Sequence, residues 1–139
     1  MSTEQNKAVA RRYFEELWTQ NDLAVIDEII APDVVGHVAG QTFRSADTLR
    51  QRAKNLRAIY SDVRFTVEDQ MAEGDKAMVR WTFRGRHTGE TMGASPTGKE
   101  VVATGMNLFR LAGGKIEEIW VESDDLGELQ QLGVVTLPK

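Results

Sequence analysis

The hydrophobic period of this chain changes once, from about 3.6 residues to 2, near residue 60, and that change narrows the folds open to it. Before it, "TEQNKAVARRYFEELWTQ" places Ala10, Tyr13, Phe14, Leu17 and Trp18 at three- and four-residue steps, the pattern of one helical face. Ser2 and Gln5 have the spacing of a capping box at its start. Asn21 and Asp22 interrupt this helix, and "LAVIDEII" reads as a shorter one ending before Pro32. "DVVGHVAG" predicts a brief strand plus loop. A third helix is expected after Ser45, burying Leu49, Ala53, Leu56 and Tyr60.

After the change, "VRFTVEDQMA" alternates Val63, Phe65 and Val67 against Arg64, Thr66 and Glu68. "EGD" at 73–75 predicts a hairpin turn, and "KAMVRWTFRGRH" continues the alternation through Val79, Trp81 and Phe83. "KEVVATGMNLFRLA" and "KIEEIWVES", joined by "GG" at 113–114, complete an antiparallel meander. Helices followed by a meander predict an α+β architecture, with the N-terminal helices packed on the concave face of a cone-shaped curved antiparallel sheet. No linker or repeat interrupts the 139 residues, so a single domain spanning 1–139 is expected.

Composition excludes several function classes. A net charge of −4 argues against nucleic acid as a partner, and no apolar run reaches membrane-spanning length. Cysteine is absent, which removes disulfide frameworks and thiolate chemistry. The polar start "MSTEQNK" does not read as a signal peptide, so a cytoplasmic location is expected. His37 and His87 are the only histidines and match no metal-ligand spacing, so no metal site is expected.

On the strand at 99–112, Val101, Ala103 and Phe109 share one face, yet Val102, Met106 and Leu108 on the other are apolar too. Water should see a polar second face. With Ile119 and Val121 read as continuing that outer stripe, a homodimer through the outer sheet face is expected.

The candidate site follows from strand parity. His87 shares parity with the inward Val79, Trp81 and Phe83. Trp120, Glu122 and Asp124 share one parity of the last strand, and Asp125 takes the other. Asp125 stands three residues before Glu128, the spacing of an N-cap with a reciprocal carboxylate. Asp124 is then expected in the pocket beside Trp120, where desolvation and the like charge of Glu122 suit a carboxyl to general acid or base work. "GRHTGETMGASPTGK" reads as a long hairpin connection able to form a rim or lid, not as a phosphate loop.

Combined motifs carry a resemblance over nearly the whole chain. Gly85, His87 and Gly89 lead into Pro96 to Lys99; Gly114 to Ile116, Trp120, Asp124, Leu126, Gly127 and Gln131 to Gly133 follow. The pattern resembles the SnoaL-like polyketide cyclases of the nuclear transport factor 2-like superfamily. That resemblance implies a cone-shaped α+β barrel and an enzyme without a cofactor, acting on a small hydrophobic molecule. By the resemblance Asp124 is the acid/base of an aldol-type ring closure, and His87 and His37 polarise a carbonyl or hold an enolate. Trp81, Phe83 and Trp120, with Glu122, would hold a flat substrate. Asn107, on the pocket side of its strand, offers a hydrogen bond where dedicated cyclases keep a second proton-transfer group. Two alternatives stay open: hydrolysis or dehydration with Asp124 activating water, and a non-catalytic binding or stress-related module.

Overall fold

A computed structural model describes residues 2–138. Helix α1 (Thr3–Arg12) starts on the expected capping box, with Ser2 Oγ accepting the Gln5 N–H at 3.1 Å and Gln5 Oε1 accepting the Ser2 N–H at 2.9 Å. It continues as a π-helical segment, Tyr13–Thr19. The wider turn brings residues five apart into line, and the Tyr13 and Trp18 rings meet edge-on at 6.1 Å. Arg57 closes the end of this segment by donating to the Trp18 and Thr19 carbonyls.

Helix α2 (Val25–Ile29) is shorter than expected, because Ile30 is already extended and paired with Ile116. The brief strand expected next is nine residues long, β1 (Ile30–Val38), and returns through the short β2 (Gln41–Arg44). Helix α3 (Ala46–Ile59) begins as expected on Ser45, whose Oγ accepts the Thr48 N–H at 3.2 Å. The meander follows as β3 (Tyr60–Glu73), β4 (Lys76–His87), β5 (Glu100–Ala112) and β6 (Lys115–Ser123). Helix α4 (Asp125–Gln131) comes last.

The sheet is curved and unclosed, in the order β2-β1-β6-β5-β4-β3. Its pairs are antiparallel except β1 with β6, which run parallel. The expectation of a wholly antiparallel sheet is therefore corrected at one seam. There β1 comes in from the helical half of the chain and lies beside the last strand of the meander.

The helices cover the concave face. Tyr13, Phe14, Leu17, Ile26 and Leu49 are buried against Val79, Phe83, Val101, Phe109 and Ile119. Each large side chain so buried contributes about 1.5–3 kcal/mol. Pairing also settles which face the last strand presents. Phe109 lies opposite Ile119, and Leu108 opposite Trp120, and directly paired residues share a face. Ile119 and Val121 are thus on the inner face with Phe109, not on the outer stripe. That outer row runs Met71, Met78, Leu108, Trp120, His37 across five strands.

Candidate functional site

Between the concave face and the helices lies a cavity of about 270 Å³. The π-helical segment supplies Tyr13, Phe14 and Trp18 to its wall, facing Phe65 and Trp81 of the sheet. These rings pack on one another, with the Phe65 and Trp81 centroids 5.3 Å apart and Phe14 and Trp81 6.0 Å apart. The wall these rings form is apolar, the usual lining for a small hydrophobic ligand.

A polar group is set into this wall with a fixed orientation. Trp81 Nε1–H donates to Asn107 Oδ1 at 3.0 Å, and both residues are buried. An indole N–H only donates, so the Asn107 oxygen must face it. The Nδ2 hydrogens are then left for the cavity, and no acceptor for them is found among the described residues. The indole can lean here because its partner across the strands is Gly105, where a Cβ would stand 2.3 Å from the ring.

Two carboxylates reach the cavity from α4, Asp125 and Glu128. Asp125 Oδ1 accepts from Ser123 Oγ at 2.8 Å, and Glu128 Oε2 accepts from the Tyr60 hydroxyl. Burial, reinforced by the Glu128 carboxylate, pushes the Tyr60 phenol well above its ordinary pKa. The Tyr13 phenol is pushed up to about 12 by burial, partly offset by the neighbouring Trp18 side chain and by the charge of Arg52. Helix α4 is tied to the sheet by the Gln131 amide, which donates to Val102 O at 2.7 Å and accepts from Val102 N–H at 2.9 Å. Leu132 is buried just beyond it.

The structure exchanges the expected places of the two aspartates. Asp124 is the N-cap of α4, accepting the Gly127 N–H at 2.9 Å, and it is exposed. Its own N–H still belongs to the sheet, donating to Thr104 O at 2.9 Å. The strand ends at Ser123, so the cap falls at Asp124 and the next residue turns toward the cavity. Glu128, expected to complete a capping box with Asp125, bonds Tyr60 instead.

His37, Trp120 and Glu122 lie on the outer face, away from the cavity. The His37 ring stacks on Trp120 at 5.5 Å and 19°, and its Nε2 is 2.7 Å from Glu118 Oε2. The hydrogen bond from His37, with help from Arg110, holds the Glu118 carboxyl below the usual range. His87 points inward as expected but is wholly buried outside the cavity wall. Its Nδ1 accepts the Thr97 N–H at 3.1 Å and lies 3.0 Å from Thr97 Oγ1, so it pegs the connection between β4 and β5. Phe83 is inward too, packed on Tyr60 and Phe65 at 5.1 and 5.2 Å beneath the cavity. Of the expected site residues, Trp81 and Asn107 line the cavity together. Arg52, Asp125 and Glu128 join them without having been singled out as site residues; counting inward positions from Phe109 across to Ile119 would have reached Asp125.

A curved, unclosed sheet wrapped over N-terminal helices, with an aromatic cavity on its concave side, has the nuclear transport factor 2-like α+β fold. Residues 8–132 match the family model described as SnoaL-like polyketide cyclase, and the chain belongs to that family. It is similar to the structure of IdmH, a candidate polyketide cyclase from Streptomyces antibioticus, with 31% identity, a TM-score of 0.80, and coverage of 92% of this chain and 98% of that one. It is also similar to AclR, a candidate hydroxylase from Streptomyces galilaeus, with 29% identity, a TM-score of 0.87, and coverage of 99% and 87%. A candidate SnoaL-like polyketide cyclase from Jannaschia sp. CCS1 shares the fold at a TM-score of 0.87 and 23% identity, with coverage of 96% and 95%. Among curated proteins nothing matches. No helix of the described residues is long and apolar enough to cross a membrane.

Proposed function

We propose that the cavity binds a small planar hydrophobic carbonyl compound and catalyses proton transfer next to its carbonyl, as in an aldol-type ring closure. The observation that carries this reading is the Asn107 amide, turned by Trp81 so that its hydrogens face a cavity that two carboxylates also line. Asp125 takes a proton from the carbon α to the carbonyl, and the electron pair moves into the enolate. Asn107 Nδ2–H donates to the developing enolate oxygen. The enolate carbon attacks a second carbonyl of the same molecule, and the resulting alkoxide recovers the proton from Asp125. Atoms and charge balance within one substrate, so the step is an isomerisation. The acid/base role expected for Asp124 passes to Asp125, because Asp124 is committed to capping α4.

Exchange of the α-hydrogens of 2-tetralone in deuterated water, followed by proton NMR, tests this half-reaction. The protein should accelerate exchange, and Asp125→Asn should abolish the acceleration while leaving the fold intact. Full acceleration in Asp125→Asn, or none in the unaltered protein, would overturn the reading. The solvent exposure of Asp125 favours a second reading, a binding module without turnover, and the absence of acceleration together with measurable 2-tetralone binding would select it.

A homodimer through the outer sheet face belongs to the same proposal. The exposed Met71, Met78 and Met106, with Leu108 and Trp120 on the same face, leave an apolar surface of the kind that a second copy covers. Light scattering should give twice the chain mass, and Met78→Glu with Leu108→Glu should halve it. A mass of one chain at micromolar concentration would remove the dimer.

A further inference from the structure

Arg52 is the only cation among the described residues that line the cavity. It stands on α3 between Leu49 and Leu56, which line the same wall. Its guanidinium carbon lies 4.9 Å from the centroid of the Phe43 ring. A cation held over a ring face is attracted by the ring quadrupole and keeps its N–H donors available to a ligand. The platform beneath it is built into the backbone. Phe43 pairs with Gly36 across the β1–β2 hairpin, and a Cβ at Gly36 would stand 2.1 Å from the ring.

No carboxylate lies within 4.0 Å of Arg52 among the described residues, although Asp125 and Glu128 line the same cavity. Arg50, two residues earlier on the same helix, pairs with both Asp47 and Asp27. Arg52 is thus a solvent-exposed charge without a counter-ion at the edge of a largely aromatic site. Its field reaches the buried Tyr13 hydroxyl across the cavity wall.

We propose that Arg52 is the specificity residue of this cavity, and that the substrate is a planar hydrophobic acid whose carboxylate is received by the guanidinium held over Phe43. The proposal rests on reading the cavity as a substrate site and adds the class of substrate. A carboxylate matches the guanidinium fork with two parallel hydrogen bonds. A phosphate dianion fits poorly, because one cation would face two protein carboxylates and a doubly charged ligand. The acid head sits at the α3 side of the cavity, so the apolar body extends along Phe65 and Trp81 toward Asn107.

The test uses 2-naphthoate and its neutral analogue 2-naphthamide, titrated calorimetrically into the full-length protein. The unaltered protein should bind the acid at least about tenfold more tightly than the amide. Arg52→Gln should bring that ratio close to one without changing amide affinity, and Arg52→Lys should restore part of it. Phe43→Leu, which removes the ring platform but keeps the charge, should lower the ratio to an intermediate value. Equal affinities in the unaltered protein, no acid binding at millimolar concentration, or an undiminished preference in Arg52→Gln would each overturn the proposal. Failure of the proton-transfer reading is separable. Acid selectivity in Asp125→Asn should match or exceed that of the unaltered protein whether or not Asp125 turns substrate over.

Discussion

Trp81 donates its indole N–H to Asn107 Oδ1 at 3.0 Å and so determines which end of the amide faces the cavity. Asn107→Leu removes the donor toward the cavity and leaves the indole N–H without an acceptor. The α-exchange rate of 2-tetralone should fall by about 10²–10³ if the amide holds the enolate. Stability should fall by about 1–3 kcal/mol, read as a lower urea midpoint, for the buried donor left unpaired.

The two neighbouring aspartates should separate by assay. Asp124→Ala removes the cap of α4 and should cost about 1 kcal/mol in urea denaturation with exchange activity retained. Asp124→Asn keeps a good capping group and should resemble the unaltered protein in both measurements. Loss of activity in Asp124→Asn with stability unchanged would return the catalytic role to that residue.

Both tyrosines of this chain, Tyr13 and Tyr60, are buried with raised phenol pKa values. A free phenol ionises near pH 10, so between that value and the folded one the native state holds more protons than the unfolded chain. The stability from each phenol is complete below about pH 10 and is lost as pH rises through its folded pKa. Phenolate absorbance should therefore appear late and together with unfolding. In Tyr60→Phe the alkaline fall in stability should be shallower. Ionisation near pH 10 with circular dichroism unchanged would contradict the packing of these rings.

Gly105→Ala should be destabilising by about 1–3 kcal/mol, since a Cβ there meets the Trp81 ring at 2.3 Å and the Glu122 carbonyl at 2.8 Å. Neither neighbour can move without disturbing the Asn107 hydrogen bond or the β5–β6 ladder. Tryptophan fluorescence should shift as the indole is displaced, and an unchanged spectrum with unchanged stability would refute the close approach.

The period change near residue 60, the Ser2 cap, the start of α3 after Ser45 and the hairpin turns were legible because each depends on residues close in sequence. So was the inward course of Trp81 and Asn107, which follows from alternation within one strand. The length of β1 was not, because its hydrogen bonds go to β6, beyond any local signal. The face shown by Trp120 was misread for a related reason. A large aromatic suggests the core, but the register Leu108 to Trp120 places it outside beside His37. Once β6 is inverted in this way, Asp124 and Asp125 exchange roles. The π-helical stretch left no mark in the sequence, since Tyr13, Phe14, Leu17 and Trp18 satisfy the α-helical spacing equally well.

The parallel seam between β1 and β6 also orders events during synthesis. His37 and Glu118, joined across it, are 81 residues apart. Until the last strand leaves the ribosome, β1 has only the four-residue β2 beside it, and its other edge stays unpaired. Closing so long a separation is slow, and an open strand edge in the meantime invites pairing with other nascent chains. Substitutions that weaken the seam, such as Val35 or Ile119 to a polar residue, should lower the yield of soluble protein at higher growth temperature before they alter the properties of molecules that have already folded.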